Sequence, residues 1–275
     1  DNVYGDFKSS DAKNLKSAYS KLNKNKFFLN LRKNTTIYPI WDDHDYGVND
    51  GGKYWPYKEI AQQLFLDFYN VQENDLRRTR KGIYHSWSIT NNIKIKVIAL
   101  DTRFFKDDFK KNYNHNIKKK YVPNYNTTKT ILGEKQWIWL KEQIKDNYDI
   151  LLLLSSIQVI PKEHGWEKWY NFPNERKKLL DLINNTQKLT IILSGDRHVG
   201  AMYKYNENIY EVTSSSFNQK ILQFSEKDMY SLGELVNQNN FGLININTLD
   251  RVIELELRSG LIKQNKVFKK LELNF

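Results

Sequence analysis

Residues 41–50 carry an unusually dense set of groups that bind metals. They read WDDHDYGVND, with four acids, one histidine and one asparagine between aromatic residues. Carboxylates held this close repel one another unless a positive charge lies among them, and a bound cation is the usual solution. Carboxylate and amide oxygens suit hard cations, while histidine nitrogen adds affinity for a transition metal. The alternative interpretation is a solvated acidic turn.

A second segment of the same kind lies far along the chain. Residues 193–198 read LSGDRH and supply Asp196 and His198 at the end of a mostly apolar run. Alone, these two residues are equally compatible with a helix cap and a surface histidine. Folding would have to bring them to residues 41–50, as a shared metal site requires.

The elements that position these segments alternate between strand and helix. Apolar runs of strand length are predicted at 36–41, 94–100, 150–160, 189–193 and 209–212, and a hairpin at 241–246 and 251–257. Helical spacing is predicted at 12–22, 57–68, 134–144 and 174–183. The polar, aperiodic segment 106–129 is predicted to be an inserted surface loop.

Polar residues recur where the apolar runs end or are interrupted. Asp42, Asp101, Ser155 and Asp196 all occupy such positions. In open α/β sheets, sites gather at the carboxyl ends of the strands, so one shared site explains all four positions. The pattern predicts a layered α/β fold with a mixed sheet.

Bulk composition narrows the class of protein. The chain has 275 residues, 40% hydrophobic residues, no cysteine and a net charge of +11. No apolar run reaches the length of a bilayer span, and thiolate metal sites and disulfides are excluded. The basic charge suits phosphate esters, nucleic acid or anionic membranes as partners, although solvated lysines explain it more simply. No recognised nucleic-acid module occurs, so nucleic acid is expected only as a substrate.

The order of motifs resembles that of the PhoD-like alkaline phosphatases, a family of metallophosphoesterases. The blocks that carry this resemblance are DNVYGD at 1–6, WDDHDYGVND at 41–50, ALDTRFF at 99–105, LGEKQWIWL at 132–140, SSIQV at 155–159, GWEKWYNFPNER at 165–176 and SGDRH at 194–198. The combination of WDDHD with GDRH is the specific part of the pattern. The implied fold is α/β, a four-layer αββα metallophosphatase sandwich with mixed sheets, formed by residues 1–275 as a single catalytic domain.

The resemblance also implies roles for individual residues. Asp1 corresponds to a bridging metal ligand, Tyr4 to a phenolate ligand of iron, Asp42 and Asn49 to calcium ligands, and Asp196 and His198 to ligands from the last strand. Asp43 and His44 occupy the places of a motif in which the histidine assists the leaving group. Arg78 corresponds to a phosphate-contacting arginine, with Arg77 and Arg80 as competing choices.

The implied activity is hydrolysis of phosphate monoesters or diesters by a metal-activated hydroxide, with iron and calcium as the metals. The resemblance also implies a secreted or periplasmic protein, and we expect a monomer. Members usually carry a strand before the position of Asp1, and often a β-sandwich domain before that. We therefore expect this chain alone to be weakly active or inactive. The alternatives are a nuclease- or phospholipase-like phosphodiesterase and a non-catalytic protein that binds phosphate or a partner.

Overall fold

A six-stranded mixed sheet organises the fold. The computed structural model describes residues 1–114, 119–217, 225–261 and 264–275. The strands of this sheet are β1 His85–Thr90, β2 Lys94–Ala99, β3 Ile150–Ser155, β4 Leu189–Ser194, β5 Gly200–Asn206 and β6 Ile209–Ser214. They lie in the order β1-β2-β3-β4-β6-β5, with β2, β3, β4 and β6 parallel and the edge strands β1 and β5 antiparallel to their neighbours. The carboxyl ends of the four parallel strands therefore meet at one edge.

A smaller sheet packs against one face of the first. It consists of β7 Asn240–Asn247, β8 Val252–Ser259 and β9 Val267–Asn274, all antiparallel. Ile253, Leu255 and Leu257 of β8 share a buried cluster with Val97 and Ile191 of the large sheet. The alternation of apolar and polar residues along β8 produces this face, because successive side chains point to opposite sides of a sheet.

Six helices complete the described fold. They are α1 Lys13–Leu22, α2 Lys26–Asn34, α3 Asp43–Tyr46, α4 Lys58–Phe68, α5 Gly133–Gln143 and α6 Pro173–Asn184. Helices α5 and α6 bury Leu140 and Leu180 in a cluster that also contains Leu151 and Ile192 of the large sheet. Helices α1 and α4 pack in a separate cluster around Trp41. Among the described residues, no helix has both the length and the apolar character of a bilayer span.

The predicted layered α/β fold with a mixed sheet is confirmed. The smaller sheet differs from the prediction of mixed sheets, since it is entirely antiparallel. Its outer side bears charged residues, among which Lys270 forms ion pairs with Glu254 and Glu272. The four strand predictions from 94 to 212 and the four helix predictions correspond to observed elements, as does the hairpin.

One element prediction is wrong, and a second is only partly confirmed. Residues 36–41 form no strand, although they lead directly into the acidic segment. The described part of 106–129 is a largely exposed loop, as predicted, but it is anchored by the fully buried Lys106 and Asp107. Phe109 and Tyr121 of this segment also belong to the main hydrophobic core. Residues 115–118 of the segment lie outside the described residues.

Candidate metal centre

The acidic segment is fixed to the end of β2 by a buried tryptophan. The indole of Trp41 donates a hydrogen bond to Asp101 Oδ1 at 3.0 Å, and that carboxylate also accepts the amides of Arg103 and Phe104. Asp101 therefore closes the turn after β2 and holds Trp41 against it. The two residues act as structural anchors for the acids that follow Trp41.

A single helical turn, α3, presents these acids. Asp42 caps it, and the buried carboxylate of Asp45 accepts the amides of Asp42, Asn2 and Val3 at 2.9–3.2 Å. Asp45 thus ties the chain around Asn2 to the turn. The Asp1 carboxylate in turn accepts the amide of His44 at 3.0 Å. The predicted ligand Asp1 therefore lies directly beside the segment 41–50.

Asp43 lies at the centre of the carboxylate cluster. Its oxygens accept the amides of His44 at 2.9 Å and Asp50 at 2.6 Å. Three groups of three side chains have ligand atoms within 4.8 Å of one another, and Asp43 belongs to each group. Its partners are Asp1 and His44 in the first group, Asp42 and Asp196 in the second, and Asp50 and Glu167 in the third. A carboxylate shared by several sets is positioned to bridge neighbouring cations.

The second predicted segment reaches the same place. Asp196 and His198 lie between β4 and β5, and both have left-handed backbones, with φ of 67° and 53°. This conformation is uncommon for residues with a side chain. Ser215 Oγ accepts the amide of His198 at 2.9 Å. His198 Nε2 lies 2.9 Å from the hydroxyl of Tyr4, so two predicted ligands that are 194 residues apart in sequence are in contact.

A buried arginine partly offsets the charge of the cluster. Arg103 is fully buried; its guanidinium contacts Asp42, lies 2.6 Å from Glu167 Oε2 and 3.8 Å from Asp196. Burial and the neighbouring carboxylates Asp42 and Glu167 nevertheless raise the pKa of Asp196 well above its ordinary value. Burial likewise raises the pKa of Glu167 to about 8, against the opposing effect of Arg103. The single positive charge of Arg103 therefore does not balance the negative charge of the surrounding carboxylates.

The donor set fits bound cations. Asp42 Oδ2 and Glu167 Oε1 are buried oxygens with no hydrogen-bond partner. A buried carboxylate oxygen without a partner is costly, and coordination of a cation removes that cost. Carboxylates around a shared Asp43 offer hard oxygen ligands, while His198 and Tyr4 offer ligands for a transition metal.

His44 has a carboxylate partner on the outer side of the cluster. Its Nδ1 lies 2.7 Å from Asp6 Oδ1, and its ring lies 4.4 Å from that of Tyr4. Burial lowers the pKa of His44, but the hydrogen bond with Asp6 and the charge of Asp43 outweigh it, so the pKa is raised overall. An imidazole oriented in this way is suited to hold and transfer a proton.

Two predicted residues are not drawn into the cluster. The guanidinium of Arg78 contacts the carboxylate of Asp67 and donates to the carbonyl of Val71 at 2.6 Å. Asn49 is exposed, and its neighbour Asp50 joins the cluster. The roles predicted for Arg78 and Asn49 remain predictions.

Four members of the site escaped the sequence-based site prediction: Asp6, Asp50, Arg103 and Glu167. Asp6 and Asp50 lie inside the blocks DNVYGD and WDDHDYGVND, but neither was predicted to be a site residue. Arg103 lies in the block ALDTRFF without an assigned role, and its side chain reaches Asp42 and Glu167. Glu167 is an acid in the tryptophan-rich block 165–176, and nothing in the sequence of that block marks it as a member of the cluster.

Comparison with known protein families and structures gives a consistent result. A profile of the PhoD-like phosphatases matches residues 8–239. Among curated proteins, no sequence matches the chain significantly.

Three solved structures share the fold. A structure of PhoD has a TM-score of 0.63 and 14% identity over 84% of this chain. GAP50, the anchor in the inner membrane complex of Plasmodium, has a TM-score of 0.52 and 15% identity over 99% of this chain and 86% of its own. A dimetal phosphatase from Danio rerio has a TM-score of 0.52 and 12% identity over 94% of this chain and 78% of its own. The chain spans about half, 51%, of the PhoD structure.

Proposed function

The chain belongs to the PhoD-like phosphatase family, and on this premise we propose that it is a metal-dependent phosphoric ester hydrolase. The observation that carries the proposal is Asp43, which contributes to all three sets of ligand atoms. Two cations that share a carboxylate lie close enough to act on a single phosphoryl group. Buried oxygens without partners on Asp42 and Glu167 support the same conclusion.

We propose the following division of the ligands. Asp43 would share the bridging role that the resemblance gives to Asp1, and Asp42 and Asp196 would hold one cation. Asp1 lies beside Asp43, while Tyr4 and His198 contact each other and supply the ligands that favour a transition metal. The family resemblance suggests iron on the side of Tyr4 and calcium on the side of Asp42, with Asn49 as a further calcium ligand. Metal ions bound here would neutralise the phosphate and lower the pKa of the attacking water.

We assign the remaining polar residues roles other than metal binding. We propose that His44 delivers a proton to the leaving oxygen, and that Asp6 orients its ring through the 2.7 Å contact with Nδ1. Arg103 stabilises the array of carboxylates, since its donors are turned to Asp42 and Glu167. A phosphate contact by Arg78 would require this residue to exchange its present partner Asp67 for the substrate.

The proposal includes both phosphate monoesters and phosphate diesters as substrates. The net charge of +11 keeps a nuclease- or phospholipase-like diesterase as the alternative within the same site. Rates of hydrolysis at increasing salt distinguish the two. A rate that falls steeply with salt for a nucleic acid, but not for a small ester, would favour that alternative. By family resemblance we also propose action outside the cytoplasm, and we propose a monomer.

Hydrolysis with and without metal tests the proposal. We expect metal-dependent turnover of an aryl phosphate or its aryl diester after reconstitution with iron and calcium, at a low rate when residues 1–275 are assayed alone. Prolonged chelation should abolish turnover, and metal added back to the chelated protein should restore it. A folded protein that binds the metals but hydrolyses neither ester would contradict the proposal and favour a non-catalytic phosphate-binding protein.

A further inference from the structure

Trp166 is exposed, which sets it apart from the other tryptophans of the chain. It is 51% exposed, while Trp41, Trp137 and Trp169 are buried and the remaining three are only partly exposed. Leaving a large indole in water forgoes the free energy of its burial, and tryptophan exposed beside a site is typical of binding surfaces. Trp169, three residues later, lies in the hydrophobic core.

The backbone around Trp166 is firmly held. The carbonyl of Gly165 accepts the amide of Tyr121 at 3.0 Å, and a Cβ at Gly165 would lie only 2.5 Å from Lys119 Cα. The Trp166 amide donates to His164 Nδ1 at 3.3 Å, and its carbonyl accepts Lys168 Nζ at 3.3 Å. Trp166 is therefore an exposed ring on an ordered backbone, and such preorganisation reduces the entropy lost on binding.

The ring adjoins the carboxylate cluster on several sides. The next residue, Glu167, belongs to the set with Asp43 and Asp50. Lys120 Nζ lies 6.0 Å from the ring centroid and contacts Asp50, and Arg197 Cζ lies 5.9 Å from it and follows Asp196 directly. Aromatic surface and positive charge therefore occur together at the edge of the candidate metal centre.

We propose that Trp166 is a specificity-determining residue that packs against an aromatic ring carried by the alcohol part of the phosphate ester. This inference rests on the proposed function, because it places the phosphate at the cluster around Asp43. With the phosphate there, the ester group extends past Glu167 to the indole. The indole selects esters with a ring over esters of small alkyl alcohols.

Binding of two phosphonates that differ only by the ring tests this inference without any turnover. Phenylphosphonate and methylphosphonate are titrated calorimetrically into metal-loaded protein. In wild type, we expect phenylphosphonate to bind more tightly. In Trp166→Ala, the ratio of the two affinities should fall about tenfold, the magnitude of a lost aromatic stacking contact. Trp166→Phe should keep most of the preference, since it retains a ring.

Phe27→Ala is the matched control, because Phe27 is also an exposed aromatic residue, at 61%, but lies on α2. Its affinity ratio should equal that of wild type. An unchanged ratio in Trp166→Ala, with both phosphonates still bound and esters still hydrolysed, would overturn this inference and leave the proposed function intact. Failure of wild type to bind either phosphonate or hydrolyse any ester would overturn both.

Discussion

At the scale of residues, the charge of the site is set by which side chains are buried together. The dense acids at 41–50 predicted a cluster, and Asp42, Asp43 and Asp196 do lie together. Arg103 could not be assigned to the cluster, because its burial against Asp42 and Glu167 depends on contacts between residues distant in sequence. Asp6 was missed for the same reason, since only the folded chain brings it to His44.

The pair of Asp6 and His44 provides a prediction at this scale. Asp6→Asn removes the carboxylate that orients the imidazole, so proton delivery to the leaving oxygen should weaken. The loss should be larger for phenyl phosphate, whose leaving group needs the proton, than for p-nitrophenyl phosphate, whose leaving group does not. We expect the ratio of kcat/KM for the two esters to change by about tenfold.

Asp11→Asn is the control for this substitution, because Asp11 is fully exposed and pairs with Ser9. It should leave both kcat/KM values unchanged. Equal losses for the two esters in Asp6→Asn would assign Asp6 a purely structural role and exclude His44 as the proton donor.

At the scale of elements, the periodicity of apolar residues predicted the strands and helices that bury a clear apolar face. Of the predicted strands of the large sheet, β3 and β4 have nearly continuous apolar runs, as parallel buried strands do, while β2 and β6 have shorter ones. Strands β1, β5 and β9 were missed because polar residues interrupt their sequences. Residues 36–41 have the composition of a strand but pair with no neighbouring strand.

A buried acid in β6 supports the loop that follows β3. Glu211 is fully buried, and its carboxylate accepts the amides of Val159 at 3.0 Å and Ile160 at 2.6 Å. Burial raises the pKa of Glu211 to about 7, although these hydrogen bonds oppose the shift. The folded protein therefore binds this proton more tightly than the unfolded chain does.

The stability of the folded protein should therefore fall as Glu211 loses its proton. The stability contributed by the protonated form is fully present below the ordinary pKa of 4.5 and declines as the pH rises through about 7. Glu211→Gln removes this titration. We expect the free energy of unfolding of wild type, relative to the variant, to fall by about 3 kcal/mol from acidic to mildly alkaline pH.

Urea unfolding across this pH range measures that difference. Glu207→Gln serves as the control, since Glu207 lies in the turn before β6 and its side chain is 86% exposed. Its stability should follow that of wild type at every pH. Parallel pH profiles for wild type and Glu211→Gln would contradict a raised pKa for Glu211.

At the scale of the whole molecule, the site forms where distant parts of the chain meet. Residues 1–6, the turn α3, the loop after β2, the block around Glu167 and the loop after β4 all contribute side chains. The rule that sites gather at the carboxyl ends of parallel strands predicted this place. The buried anchors of the loop 106–129 were not predictable, because its polar sequence conceals pairs such as Lys53 with Asp107.

The central claim is that a carboxylate cluster around Asp43 holds the metals of a phosphoric ester hydrolase. Its most direct test is the metal content of wild type and Asp43→Asn after equilibrium dialysis, measured by elemental analysis. Asp181→Asn is the control, because Asp181 is an exposed acid of α6 paired with Lys177. We predict about two metal ions per chain in wild type and the control, as in two-metal phosphoryl sites, and at least one fewer in Asp43→Asn. Equal metal content in wild type and Asp43→Asn would contradict the account.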